Sequence, residues 1–147
     1  MMEELKAANH DAPGSSNALA DHELSFLRDL RLKLLHLHKS LLDTERHSFE
    51  KMFGRVNSGE LLQLVINHTQ FAWLRMISAL VVEIDEKLNA EEPATSSDMQ
   101  NLLTQARLLF TLPENGDFRQ KYQAALQHEP AVVMAHAEVM KLLREKA

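Results

Sequence analysis

Apolar residues are densest between residues 58 and 89 of the chain, and the prediction of the fold starts from this stretch. Most of residues 61–84 are apolar. At about 100° per residue they cover most of the circumference of a helix, as expected of a helix buried on several sides. Ser58 is predicted as its N-cap. The sequence thus predicts one central helix over residues 58–89, with a ridge formed by Ile66, Gln70, Trp73, Ile77, Leu80 and Ile84.

A second long helix is predicted before the central one. Nothing between residues 18 and 53 breaks a helical pattern, and Gly54 ends it. Because only the segment GRVNS connects the two long helices, they are predicted to lie antiparallel. The apolar stripe of this first helix consists of Leu27, Leu30, Leu34, Leu37, Leu41 and Met52.

Shorter helices are predicted after residue 89. Thr95 and Asp98 have the spacing of a capping box, and Asp117 with Gln120 is predicted to cap the N-terminus of a second short helix. Pro130 ends that helix and can begin the last one. The inward residues of the first two are predicted to be Met99, Leu102, Leu103, Ala106, Leu109, Phe110, Phe118, Tyr122, Ala125 and Leu126. The sequence therefore predicts an all-α fold, an antiparallel helical bundle with two long helices and two to three shorter ones.

The chain is predicted to form a single domain over residues 18–147, because its 147 residues suit one core. Residues 1–17 are polar and contain the segment PGSS, so they are predicted to be a disordered tail. This tail has no apolar stretch resembling a secretory signal, so we expect a cytoplasmic protein. Polar residues at 67–70 and Arg75 interrupt the apolar run before it reaches the ~20 residues of a membrane span.

Composition narrows the possible functions. The chain has no cysteine, which excludes disulfides, thiolate catalysis and cysteine-ligated metals. A net charge of −5 without a basic block argues against a nucleic-acid partner. Gly-rich phosphate loops, Gly-x-Ser-x-Gly and His-Glu-x-x-His motifs are absent. Nothing in the sequence assembles a nucleophile with a base, so an enzyme is not the expectation.

Polar residues occupy positions that the helical pattern assigns to the core. His38 and Glu45 share the stripe of Leu34 and Leu41, and His136 lies among the apolar residues of the last helix. Burying such groups without partners costs about 1–3 kcal/mol each. They are therefore predicted to meet in one polar seam inside the bundle, made of His38, Glu45, Asn67, Ser78, Asp85 and His136.

Two interpretations of this seam are open. The first is a hydrogen-bond network that fixes helix register, or a homodimer contact. The second is a metal site, with Fe, Mn or Zn bound by His38, Glu45, Asp85 and His136. Spacing argues against the metal, because no Glu-x-x-His pair is present and His38 and Glu45 are about 10 Å apart along the helix.

Two further pairs of residues each have a functional and a structural interpretation. Asp43 and His47 are four residues apart and could share a cation, although a solvated helix face is the simpler interpretation. Trp73 and Arg75 belong to the residue types enriched in interfaces, although a lone Trp on an apolar ridge is more often core.

The segments LLHLHKSLLDTER, GRVNSGELLQLVIN and FAWLRMISALVVEIDE resemble an uncharacterised bacterial family of small all-helical proteins, and HAEVMKLL fits the same family. The likeness covers most of residues 24–145. The resemblance implies a bacterial, cytoplasmic protein, and it implies no activity and no site residues.

The expected function is that of a non-enzymatic helical interaction module that self-associates through its long helices and the Trp73 ridge. Its partner would be a second copy or another helical protein, with no nucleic acid and no membrane. The alternative is a metal- or cofactor-binding bundle that uses the polar seam. If the protein is an interaction module, no cofactor is expected.

Overall fold

The computed structural model describes residues 18–111 and 116–146. The predicted tail, residues 1–17, lies outside the described residues. Within them the chain is helical, and the single pairing of extended backbone is an isolated bridge between Ala18 and Thr95. The prediction of an all-α fold is confirmed. The helices are α1 Asp21–Phe53, α2 Ser58–Asn67, a 3₁₀ helix Thr69–Leu74, α3 Arg75–Asn89, α4 Ser96–Thr111, α5 Asp117–His128 and α6 Pro130–Glu145.

Helix α1 is the long helix predicted from its leucines. At its start the Glu23 carboxylate accepts a hydrogen bond from the backbone N–H of Ala20, at 3.0 Å. At its end Gly54 adopts φ +94°, a conformation that suits glycine. The predicted stripe is buried from Leu27 to Leu41. Met52 is exposed and its assignment to the stripe was wrong, because no other helix of the described residues covers the last turn of α1 on that side.

The prediction of one central helix over residues 58–89 was wrong, because the α-helix is interrupted at His68. The backbone of His68 is extended, and its Nδ1 accepts a hydrogen bond from the N–H of Gln70 at 3.0 Å. The guanidinium of Arg75 donates to the carbonyl oxygens of Val65 and Ile66. The ring of His68 also lies edge-on to the ring of Phe49, with 5.5 Å between centroids. The hydrogen bonds of His68 and Arg75 satisfy backbone groups that the break leaves free, and the ring contact with Phe49 holds the His68 side chain in place.

The caps of the shorter helices follow local rules. Asn57, not the predicted Ser58, is the N-cap of α2: its side chain accepts from Glu60 N–H at 2.8 Å, while Glu60 accepts from Asn57 N–H at 2.9 Å. The predicted capping box before α4 is confirmed, with Thr95 and Asp98 bonded reciprocally at 2.9 and 3.1 Å. The starts of α2 and α4 are thus fixed by side chains within four residues. The cap predicted at Asp117 was wrong, because the N-cap of α5 is Gly116 and no side chain caps that helix.

Helix α1 packs against α3, α6 and the 3₁₀ helix, and α5 packs against α6. Arg31 forms an ion pair with Asp85 of α3, and Lys33 with Glu138 of α6 at 2.9 Å. The predicted inward residues of α4 are all buried, and those of α5 are buried except Leu126, which is half-buried. In the described part of the chain no helix is both long and apolar enough to cross a membrane.

Candidate functional site

The predicted polar seam is not formed as one cluster. Glu45 bonds to the 3₁₀ helix, Asp85 to Arg31, and His136 to Tyr122. Among the described residues no charged or amide side chain is fully buried. The helical pattern gave the direction of each side chain around its own helix, but it could not give the neighbour that each one meets.

The other three residues of the seam are also apart from one another. Asn67 is exposed on α2, where its amide donates to Gln63 at 3.2 Å. The hydroxyl of Ser78 faces the Arg75 carbonyl oxygen at 3.4 Å, within its own helix. His38 is half-buried, and its side chain forms no hydrogen bond with any other described residue.

The predicted metal ligands are likewise separated. Among residues 18–111 and 116–146, no three His, Asp or Glu side chains are placed to hold an ion. His38, Glu45, Asp85 and His136 each have a different environment, so the structure does not bring this set together. Asp43 and His47 are both exposed, and Asp43 pairs with Lys39 at 3.1 Å. These two fit the interpretation as a solvated face.

Glu45 has the most developed polar environment of the predicted residues. One carboxylate oxygen accepts from the indole Nε1–H of Trp73 and the other from the amide of Gln70, both at 2.9 Å. The break at His68 creates this arrangement, because the 3₁₀ helix turns Gln70 and Trp73 towards α1. Helix periodicity did not predict that Glu45 would contact Trp73 or Gln70.

A surface cleft of about 300 Å³ lies beside Glu45, between α1 and the junction of α5 with α6. A second hollow adjoins it and shares Thr44 and Glu129. The cleft therefore brings charged groups from three parts of the chain to one concave surface. Its lining consists of Thr44, Glu45, Ser48, Trp73, Lys121, Ala124, Ala125, His128 and Glu129.

Tyr122 and His136 form a separate pair between α5 and α6. The Tyr122 oxygen lies 2.6 Å from Nδ1 of His136. Burial raises the pKa of Tyr122, and burial together with the nearby Arg119 charge lowers the pKa of His136. Near neutral pH the phenol is therefore protonated and the imidazole is neutral, and the imidazole tautomer decides which of the two donates in their hydrogen bond. Both residues face inward in the sequence pattern, yet nothing in it showed that they meet.

The lowered pKa values of His38 and His136 predict a loss of stability in acid. Burial lowers both pKa values below the ordinary 6.5, so as pH falls the unfolded chain takes up these protons first. Stability should then be full above pH 6.5 and decrease as pH falls through 6.5 towards the lower folded pKa values. The pKa values of Glu50 and Asp98 are also lowered, mainly by backbone hydrogen bonds from Val56 and Thr95. They too reduce stability in acid, but only as pH falls below the ordinary pKa values of 4.5 and 3.8.

Urea midpoints measured between about pH 8 and about pH 5 test this expectation. The variants His38→Leu and His136→Leu should each flatten the pH dependence, and the double variant should flatten it most. His136→Leu should also be less stable by about 1–3 kcal/mol at the alkaline end, because the buried Tyr122 hydroxyl loses its hydrogen-bond partner. An unchanged slope in the double variant would contradict the assignment to these two residues.

Trp73 and Arg75 do not form an exposed interface. Trp73 is only 5% exposed and packs against Phe118, with 5.6 Å between ring centroids. Arg75 is exposed, but its guanidinium is used to cap the end of α2. The interpretation of Trp73 as core therefore fits the structure better than its interpretation as an interface residue.

An apolar surface is exposed elsewhere, where α1 ends and α2 follows. We use the name α1–α2 surface for four exposed side chains: Met52 (76% exposed) and Phe53 (66%) in the last turn of α1, and Leu62 (57%) and Ile66 (52%), one turn apart on α2. Helix α2 has no buried residue, although half of it is Leu, Val or Ile. Phe53 contacts Phe49 at 4.8 Å between centroids but keeps most of its ring in solvent. The sequence missed this surface, because Met52 and Ile66 fit the predicted core stripes.

Comparison with family models, with curated proteins and with solved structures gives no match. A function for the chain must therefore be argued from its own residues.

Proposed function

We propose that this protein is a non-enzymatic interaction module that pairs with a second copy of itself through the α1–α2 surface. The observation that carries the proposal is the exposure of Leu62 and Ile66 on α2, a helix that packs against the core only through its partly buried Leu61, Leu64 and Val65. Full burial of a Leu, Ile, Phe or Met side chain stabilises by about 1.5–3 kcal/mol. Covering the four side chains of this surface would therefore supply substantial association energy.

A second copy suits this surface better than a charged partner. In a twofold dimer the same patch meets itself, so an apolar surface is complementary to its own copy. Lys51, Arg55 and Glu60 are exposed beside the patch, and in the described chain none of them belongs to an ion pair within the monomer. In such a dimer the basic residues of one copy can face Glu60 of the other. This complementarity supports self-association.

The scaffold in this proposal is an antiparallel helical bundle. Two contacts support this arrangement. Arg31 with Asp85 joins the start of α1 to the end of α3. Glu45 with Trp73 joins the later part of α1 to the segment that precedes α3. The bundle would hold the α1–α2 surface at the end where α1 stops. The long helix α1 thus contributes to self-association through its last turn.

Sedimentation analysis at tens of micromolar tests the proposal. The unaltered chain should sediment as a dimer. A variant carrying Met52→Lys and Leu62→Lys should be monomeric, with its dissociation constant raised at least about 100-fold, because each change removes about 1.4 kcal/mol or more. Lysine at position 52 also suits the C-terminal end of a helix dipole. Circular dichroism should show unchanged helix content.

The matched control is Met134→Lys, which places the same charge on another exposed methionine, in α6. This variant should remain dimeric. A monomeric unaltered chain would overturn the proposal. A dimer that persists in the double variant would also overturn it, because self-association would then use a different surface.

A further inference from the structure

We propose that the cleft beside Glu45 binds a primary alkylammonium group, with the Glu45 carboxylate as its anchor. This function is separate from self-association, because the lining of the cleft contains none of the α1–α2 surface residues. The ligand is defined by its chemistry: a short aliphatic chain that ends in a charged amine.

The Glu45 carboxylate is held in place by two neutral hydrogen-bond donors. Its two hydrogen bonds come from neutral donors, the indole of Trp73 and the amide of Gln70. These donors fix the orientation of the carboxylate without neutralising it. Within the described residues no basic side chain pairs with Glu45. A carboxylate can accept about four hydrogen bonds, and the side chain is only half-buried. It therefore retains charge and acceptor capacity for an incoming ammonium group.

Lys121 is the nearest competing cation, and it is engaged elsewhere. Its Nζ donates to the carbonyl oxygen of Gln70 at 3.4 Å and lies 3.9 Å from the Asp117 carboxylate. Glu129 adds a second negative charge to the lining. The carboxylates of Glu45 and Glu129 outnumber the ammonium group of Lys121 in this lining, so the cleft favours a cationic ligand.

The shape and walls of the cleft select the rest of the ligand. A volume of about 300 Å³ is at the lower end for small-molecule sites, which favours a short ligand. Ala124, Ala125 and the Trp73 ring provide apolar contacts along the wall. An ammonium ion needs only acceptor atoms and no fixed coordination geometry. It therefore fits a site where the described residues do not assemble the ligands of a metal ion.

Trp73 makes the proposal directly testable, because it is the only tryptophan in the chain. Its emission and its single indole N–H NMR signal report on the atom that bonds to Glu45. Titration with n-butylammonium chloride at constant ionic strength should shift the indole N–H signal saturably. The expected dissociation constant is about 1–10 mM, as for a ligand of few heavy atoms. 1-Butanol, which has the same chain length and no charge, should produce no saturable shift.

The decisive variant is Glu45→Gln, which keeps an acceptor for the Trp73 indole and removes the charge. It should weaken butylammonium binding at least tenfold, whereas Glu86→Gln, on the exposed part of α3, should leave the binding unchanged. Urea midpoints establish that both variants are folded. Equal binding by Glu45→Gln, equal binding of 1-butanol, or no saturable shift would each overturn the proposal.

Two further titrations refine the interpretation. A lysine side chain presents the same group, so N-acetyl-lysine methylamide is titrated in parallel. Tighter binding of this derivative would assign the cleft to a lysine of a protein partner, and tighter binding of butylammonium to a free amine. The variant with Met52→Lys and Leu62→Lys should bind butylammonium normally, so failure of self-association and failure of the cleft proposal are distinguishable.

Discussion

Replacing Trp73 by alanine is expected to lower the free energy of unfolding by about 3–5 kcal/mol. The indole ring is almost fully buried and contacts the ring of Phe118. Its removal leaves a cavity in a close-packed core, and it also removes a hydrogen bond that the Glu45 carboxylate accepts. Both effects act in the same direction, so this substitution should be among the most damaging single changes in the chain.

Two control variants separate these contributions. Trp73→Phe keeps an aromatic ring and loses the indole N–H, so it should destabilise less, by about 1–3 kcal/mol. Met134→Ala removes an exposed side chain and should change stability by less than about 0.5 kcal/mol. Urea unfolding is measured in the background of Met52→Lys and Leu62→Lys, so that dissociation does not contribute. A loss below about 1 kcal/mol for Trp73→Ala would contradict its placement in the core.

Leu37→Ala is expected to lower the free energy of unfolding by about 2–5 kcal/mol. Leu37 is fully buried in the stripe of α1, whereas Leu32 on the same helix is 43% exposed. Alanine has the higher helix propensity, so the intrinsic preference of the helix cannot explain a loss of stability. The loss must come from the cavity and from the apolar contacts that α1 forms with α3 and α6.

Leu32→Ala is the matched control, because it makes the same change in the same helix and at a different depth. We expect it to cost less than about 1 kcal/mol. Urea midpoints and slopes of the two variants are compared under identical conditions. Equal losses in the two variants would mean that the faces of α1 are assigned incorrectly.

The break at His68 links the two proposals to one structural feature. It turns Gln70 and Trp73 towards Glu45, which forms the anchor of the cleft. It also separates α2 from α3, so that α2 does not continue the buried ridge of Trp73, Ile77 and the residues beyond. An uninterrupted helix through residues 58–89 would provide neither the cleft nor the α1–α2 surface.

The sequence determined the helical class, most of the inward faces and several helix ends. The leucine stripe of α1 is buried from Leu27 to Leu41, and the apolar face of α4 is buried throughout. The capping box of Thr95 and Asp98 also forms as predicted. These features depend on residues three or four positions apart, a separation at which helix geometry alone fixes the neighbours.

Only the tertiary structure decided where the central helix breaks and which polar groups meet. The break at His68 depends on Phe49 and Arg75, which lie 19 and 7 positions away. Glu45 bonds to residues 25 and 28 positions further on, and Tyr122 meets His136 across two helices. Helical periodicity specifies the direction of a side chain around its own axis. The partner that it meets, and the depth at which it lies, are set by how separate helices pack.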